Sequence, residues 1–417
     1  MMRVISGICL VLLIFASAQG QADDYWRVSG YYKNFFVVSD EPFSDNDFGQ
    51  GQTTNRLRIS LNYAPSEVVE ANFAYDIIPT IYANYETGFI MEEIAGARTG
   101  NMYRADDLNT ALYPENPEFT DRFRINQNLD RLFLAIHASF GDMYFGRQAI
   151  AWGSARTINP TDVLGPFAYD ELDVEDRRGV DAVRLRIPLG FMGEIDIGYL
   201  SGYDFNFDES AVYFRGKQYL GQTDLSGMVV IFQENLMLGI DLARSLEGAG
   251  IWLEAAWVNP DEIRPYDDAV DEESYFRATV GADYSFGDKT YGFLEYHYNG
   301  AGSSDPEKYF SLHETVPYRE GGVFLMGEHY LIPGINYQIT PLITLNGSTI
   351  FNLSDQSAIL MPSLEYNIAE NIYLSGGAYL GLGKKGRMMN LPYLGYLFES
   401  EFGDYPNTLY TSFRVYF

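Results

Sequence analysis

From residue 26 to the end of the chain, apolar and polar side chains alternate with a period of two. In 56–63, Leu57, Ile59, Leu61 and Tyr63 oppose Arg56, Arg58, Ser60 and Asn62. In 69–77, Ala71, Phe73 and Tyr75 oppose Glu70, Asn72 and Asp76. Val183, Leu185 and Ile187 oppose Arg184 and Arg186, and Phe276, Val280, Tyr284 and Phe286 oppose Arg277, Thr279, Asp283 and Ser285. Successive side chains of a strand point to opposite faces, so each run predicts a strand with one apolar and one polar face. The pattern places strands at 26–38, 54–64, 69–81, 129–140, 143–153, 179–189, 192–203, 211–219, 222–233, 236–246, 250–259, 274–286, 290–299, 326–339, 342–353, 357–368, 371–383 and 408–417. The weakest pattern is at 211–219, yet omitting it leaves an odd number of strands and puts the 259–273 connection on the wrong rim.

The connections carry a second pattern. Tight turns at 64–68, 140–142, 188–190, 287–290, 340–341 and 369–371 alternate with long polar segments at 39–52, 83–128, 154–179, 259–273, 300–323 and 384–407. A soluble sandwich has no reason to gather its long loops at one end. A transmembrane antiparallel β-barrel does, and in it the apolar face meets lipid while the polar face lines a lumen. The expected fold is therefore all-β, a barrel of about eighteen strands, with sixteen as the alternative if one hairpin is misread.

Composition agrees with this. Aromatic residues make up 16% of the chain, with 33 Tyr and 28 Phe, and Tyr and Trp favour the level of lipid headgroups. Residues 1–20 read as a secretory signal: Arg3 is the basic start, 8–15 the apolar core and 16–18 a small-residue cleavage site. Cleavage leaves 21–417 as one barrel domain and removes Cys9, the only cysteine. Disulfides, thiol chemistry and a cysteine-ligated metal then drop out. A net charge of −29 excludes nucleic acid as a partner, whereas an acidic surface suits the divalent cations that bridge anionic outer-leaflet lipid such as lipopolysaccharide.

If polar faces point inward, the charges separate. Arg27, Lys33, Arg56, Arg58, Arg131, Arg147, Arg184, Arg186 and Arg414 come from the closure and the first third of the barrel. Glu194, Asp196, Glu254, Asp283, Glu295 and Glu365 lie further along, and Glu70 and Asp76 interrupt the basic group. Opposed basic and acidic walls would set a transverse field across a pore; alternatively the same groups pair between neighbouring strands and stiffen the wall. The 154–179 loop is the expected constriction. Asn159-Pro160-Thr161-Asp162 is turn chemistry and Pro166 adds stiffness. Arg156, Asp162, Asp170, Asp173, Arg177 and Arg178 would line an eyelet, together with Glu171, Glu175 and Asp176. The alternative is a loop packed over the mouth or between subunits.

The segments GRQAIAWGSARTINPTDVL, RRGVDAVRL and EYHYNGAG resemble porin-like outer-membrane proteins of Gram-negative bacteria, over about 25–417. The last strand is similar to the assembly signal of such barrels. Leu409, Thr411, Phe413, Val415 and Phe417 share its lipid face, and Tyr410, Ser412, Arg414 and Tyr416 its inner face. The resemblance implies a passive channel for small hydrophilic solutes, engaged by the barrel-assembly machinery through Phe413, Val415 and Phe417, and either a monomer or the common porin trimer. It implies no cofactor and no catalytic residue.

Other functions are weighed on residues. Four histidines, His137, His297, His313 and His329, offer little to an enzyme, and Asn299 stands where an outer-membrane phospholipase would need its serine. The acidic runs Asp40, Glu41, Asp45, Asp47 and Asp267, Asp268, Asp271, Glu272, Glu273 lack the spacing of a calcium loop. Only a short segment precedes the first strand, too little for the globular plug of an energised receptor. A polysaccharide exporter or a sheath for a partner protein stays open. Inward Tyr373, Tyr379, Tyr410 and Tyr416 would suit sugars, although tyrosine is abundant throughout.

Overall fold

The computed structural model describes residues 25–40, 48–83, 103–107, 110–118, 121–260, 273–389 and 395–417. The signal segment 1–20, Glu41, Asp45, Asp47 and the run from Asp267 to Glu272 lie outside the described residues.

Eighteen antiparallel strands close into a barrel. In chain order they are β1 (Trp26–Ser39), β2 (Gln50–Tyr63), β3 (Val69–Tyr82), β4 (Phe123–Ala138), β5 (Gly141–Ala149) and β6 (Gly179–Leu189). Then come β7 (Gly193–Leu200), β8 (Ala211–Leu220), β9 (Thr223–Phe232), β10 (Asn235–Leu246), β11 (Ala249–Asn259) and β12 (Tyr275–Phe286). The last six are β13 (Thr290–Asn299), β14 (His329–Thr340), β15 (Ile343–Asn352), β16 (Ser357–Ala369), β17 (Ile372–Leu382) and β18 (Thr408–Tyr416). Each strand pairs with its chain neighbours, and β18 closes on β1 from Tyr31↔Tyr416 to Ser39↔Thr408. Beyond the ladder, the amide of Gly30 donates to the carbonyl of Phe417, and the amide of Phe417 donates back to Gly30. The terminal residue thus belongs to the seam.

The alternation read from the sequence is the alternation of exposure. Val183, Phe276, Val280, Leu294, Ile335, Leu364, Leu409 and Phe413 are exposed on the outside. Lys33, Arg58, Asp76, Asp196, Glu254 and Glu295 are buried on the inside. A continuous band of exposed apolar side chains around the outside is the pattern of a barrel wall suited to lipid.

Several boundaries differ from expectation: β2 begins at Gln50 rather than 54, β7 ends at Leu200 rather than 203, and β14 begins at His329 rather than 326. The strand expected at 143–153 stops at Ala149, and beyond it Trp152 turns inward to donate its indole N–H to the carbonyl of Thr161. The strand expected at 129–140 begins at Phe123 and carries a bulge, the register stepping from Ala74↔Arg131 to Tyr75↔Leu129. The extra residue, Asp130, is buried and accepts from the amide of Gly179. Only glycine fits there, since a Cβ on Gly179 would stand 1.9 Å from the carbonyl oxygen of Asp130. One rim carries only tight turns. The opposite rim carries the long connections, but also short ones at 233–234 and 353–356.

Four inward aromatic rings lie flat on glycines of the neighbouring strand. Cβ atoms added at Gly198, Gly281, Gly334 and Gly377 would collide with the rings of Tyr213, Trp252, Phe293 and Tyr410. Glycine in these strands makes room for a ring against the wall.

Candidate functional site: the segment crossing the lumen

Residues 150–178 leave β5, cross the barrel interior and return to β6. Their first anchorage is on β10 to β13. One carboxylate oxygen of Glu254 accepts from the amides of Ser154 and Ala155 (3.1 and 3.2 Å). The other accepts from the amide and hydroxyl of Thr161 (2.9 and 2.7 Å). Glu295 accepts from the amides of Arg156 and Thr157 (2.6 and 3.0 Å) and from the indole of Trp252 (2.9 Å). The guanidinium of Arg156 reaches Asp283 at 2.7 Å, the hydroxyl of Ser154 donates to Asp241, and that of Thr279 donates to the carbonyl of Ile158.

The second anchorage is on β1, β2 and β18, about half the circumference away. Lys33 contacts Asp173 and Glu175, both at 2.7 Å, and Arg56 contacts Asp173 at 2.9 Å. The hydroxyls of Tyr31 and Tyr416 donate to Asp176 and Glu175, each at 2.7 Å. On β4, Arg131 donates to the carbonyl of Arg177 at 2.6 Å. Burial pushes the Asp173 carboxyl up, but Lys33 and Arg56 outweigh it and hold it below the usual carboxylate range.

The candidate charges therefore sit in pairs. Arg56 and Arg58 both reach Asp76 (2.9 and 3.4 Å), and Arg58 also meets Asp130 at 2.8 Å. Arg131 contacts Asp130 at 2.5 Å. Arg147 is buried, held by both oxygens of Asp181 and by the carbonyls of Leu129 and Asp106. Arg184 grips Asp196 with two hydrogen bonds (2.9 and 2.5 Å), Arg186 pairs with Glu194, and Arg414 with Glu365. Within the segment, Asp162 meets Arg177 at 2.8 Å, Arg178 meets Glu171 at 3.4 Å, and Asp170 accepts from the Tyr405 hydroxyl at 3.2 Å. His137 bonds Asp142, and His297 is buried against Thr279. Among the described residues no group of three His, Cys, Asp or Glu could hold a metal ion.

Several contributors have no periodic signature. The stretch 103–107 packs against the β5–β6 seam: Arg104 donates to the carbonyl of Gly179 and to Asn128, and Tyr103 is buried. The alternation places Arg277 on an inner face, but not its partner: it is buried and donates to the carbonyl of Gly321. Glu401, between β17 and β18, accepts from the backbone amide of Met326, the hydroxyl of Tyr330 and the side-chain carboxamide of Asn352, so it ties its own connection to the one before β14 and to β14 and β15. Only the tertiary fold brings these together.

Apolar packing fills the half of the lumen near the long connections. Trp152, Val163, Leu164, Tyr213, Met228 and Phe232 form one cluster, and Ile158, Leu325, Tyr330, Ile332, Ile359 and Phe402 another. A 520 Å³ cavity opens along the crossing segment, bordered by Trp152, Asp162, Phe167, Arg277, His297 and Phe324. A second, of 630 Å³, runs between residues 172–175 and the inner wall of β15 to β18. Val174 borders both.

Burial raises the Asp162 carboxyl to about 6, with Arg177 opposing the shift. Its folded value lies above its unfolded one, so the docked segment is most stable below about pH 4 and loses stability as pH rises to about 6, by roughly 3 kcal/mol. Hydrogen exchange of the amides of Val163, Leu164, Gly165, Phe167 and Ala168 is expected to speed up over that interval in the wild type. In Asp162→Asn the pH dependence beyond the intrinsic chemical rate should vanish.

No family model matches the sequence, and no curated protein matches it. Among solved structures, Acinetobacter baumannii OccAB2 superimposes with a TM-score of 0.55 at 9% identity, covering 94% of this chain and 98% of that one. A double mutant of OccD1 (OprD) superimposes with a TM-score of 0.56 at 9% identity, covering 96% and 98%. At that identity the likeness speaks for the fold. The chain has the closed eighteen-stranded fold of porin-like outer-membrane barrels.

Proposed function

We propose that the chain is an outer-membrane diffusion channel for small hydrophilic solutes, with its bore set by the segment 150–178. The observation that carries this reading is the two-sided anchorage of that segment. It occupies the middle of the lumen, and the space it leaves lies against β15 to β18. Solutes enter from the long-loop rim, take to be extracellular, pass Val174 and leave along that wall. Lys33, Arg56 and Arg131 on one side and Glu254 and Glu295 on the other hold the constriction in place. Arg184, Arg186, Glu194 and Asp196 face the lumen as neutral pairs. No step of this reading requires a cofactor or catalysis.

In the same reading 1–20 is the export signal, the exposed band is the lipid contact, and Phe413, Val415 and Phe417 engage the assembly machinery. Purified protein in a planar bilayer should show a stable open conductance. Arg184→Ala with Arg186→Ala removes the arginine partners of Asp196 and Glu194, leaving Glu194 with Arg215 at 3.9 Å, so the reversal potential in a salt gradient should move towards cations. A barrel that is folded but passes no current would sink the channel reading.

A further inference from the structure

The passage beside β15 to β18 combines aromatic rings with hydroxyl and carboxamide groups. It is lined by Tyr373, Tyr410, Tyr416, Asn346, Ser363 and Ser375. Each charged side chain bordering it already has a partner. Glu365 is with Arg414, Asp173 with Lys33 and Arg56, and Glu175 with Lys33 and the Tyr416 hydroxyl. An ion entering here therefore meets pairs. Hydroxyl and carboxamide groups, by contrast, both donate and accept, and can exchange hydrogen bonds with a solute's hydroxyls.

The rings are set as surfaces. A Cβ on Gly377 would stand 2.6 Å from the Tyr410 hydroxyl, so that ring lies along the wall. Tyr379 lies beside it, the centroids 5.7 Å apart and the planes 29° from parallel. Six residues further along β18, about 20 Å of strand, Tyr416 meets Tyr373 edge to face, with centroids 5.9 Å apart and planes at 83°, and the Arg414 guanidinium lies 5.6 Å from the centre of the Tyr373 ring. Between the two aromatic stations the hydroxyls of Ser375 and Ser412 hydrogen-bond at 2.6 Å. Aromatic faces accept C–H groups, and the serines and Asn346 accept and donate beside them.

We infer that this passage is a binding track for neutral, ring-shaped polyhydroxylated solutes: sugars of one to a few units. The C–H face of a pyranose packs on Tyr410 or Tyr373, and its hydroxyls take up the serine and asparagine groups between. This rests on the diffusion-channel reading and names its substrate class.

The test is single-channel recording of the full barrel with maltotriose on one side, and flux of glucose against its charged analogues gluconate and glucosamine in proteoliposomes. Saturable, concentration-dependent interruption of the current is expected, with glucose passing faster than either analogue. Tyr410→Ala should weaken the block roughly tenfold, and Tyr410→Phe, which keeps the ring, should retain most of it. Tyr373→Ala gives a second reading should Tyr410→Ala assemble poorly. An open channel that maltotriose does not block, or a block unchanged in both alanine variants, overturns the sugar track and leaves the channel standing. A barrel that carries no current overturns both.

Discussion

Replacing residues 155–177 with a short Gly-Ser link is expected to raise single-channel conductance about three- to fivefold and to turn the pore towards anions. An eighteen-stranded barrel is wide enough to leave a large aqueous lumen unless something occupies it. Here the occupant is the crossing segment with the two apolar clusters it nucleates. The excised stretch takes away six carboxylates, from Asp162 to Asp176, and two arginines, Arg156 and Arg177, so the lumen becomes more positive by four charges. Lys33 and Arg56 lose Asp173, and Lys33 also loses Glu175. Their freed positive charge faces water and attracts anions. On the acidic side Asp283 loses Arg156, but Glu254 and Glu295 lose backbone N–H donors rather than counter-charges. The strand ladder is untouched, so the compact unboiled form on gels should persist. Conductance and reversal potential in one salt gradient check both halves. An unchanged conductance would mean that the segment does not set the bore.

The barrel was legible in the sequence because lipid and lumen impose a period of two on each strand, and the tight turns mark one rim. Even the weak stretch at 211–219 forms β8, Ala211–Leu220. The strand expected at 143–153 forms but ends early, at Ala149. Its alternation continues past Ala149, but tertiary contacts of Trp152 and Thr161 draw the chain inward. The two charged walls could be found as residues but not as partners. Alternation says that Lys33 and Glu254 face inward; it cannot say that Asp173 and the amide of Thr161 come to meet them from 140 and 93 residues away. Arg147 shows the limit most plainly. Its spacing suggested a lumenal cation, but it is enclosed by Asp181 and the 103–107 stretch, whose sequence has no periodic signature. Gly179 and Gly377 are equally silent until the neighbouring strands are in register.

The anchorage itself gives the second large effect: Glu254→Ala should undock the constriction without unfolding the barrel. Glu254 is fully buried and accepts four hydrogen bonds from the segment, three of them from backbone amides. Removing the carboxylate leaves those donors without a partner, at a cost of about 1–3 kcal/mol for each that stays buried. The segment avoids that cost by leaving the wall, where water satisfies the amides. Glu295 holds the neighbouring turn, so Glu254→Ala/Glu295→Ala should undock it further. Glu254→Gln is not a neutral control, since one oxygen becomes an NH₂ facing N–H donors. The expected signature is a noisy current that alternates between the wild-type level and higher ones. Trypsin should also cut at Arg156 or Arg177 in the assembled barrel far faster than in the wild type. Loss of the compact form in the variants would instead make these carboxylates part of barrel assembly, and quiet wild-type currents with protected arginines would show that the opposite anchorage, through Lys33 and Arg56, suffices alone.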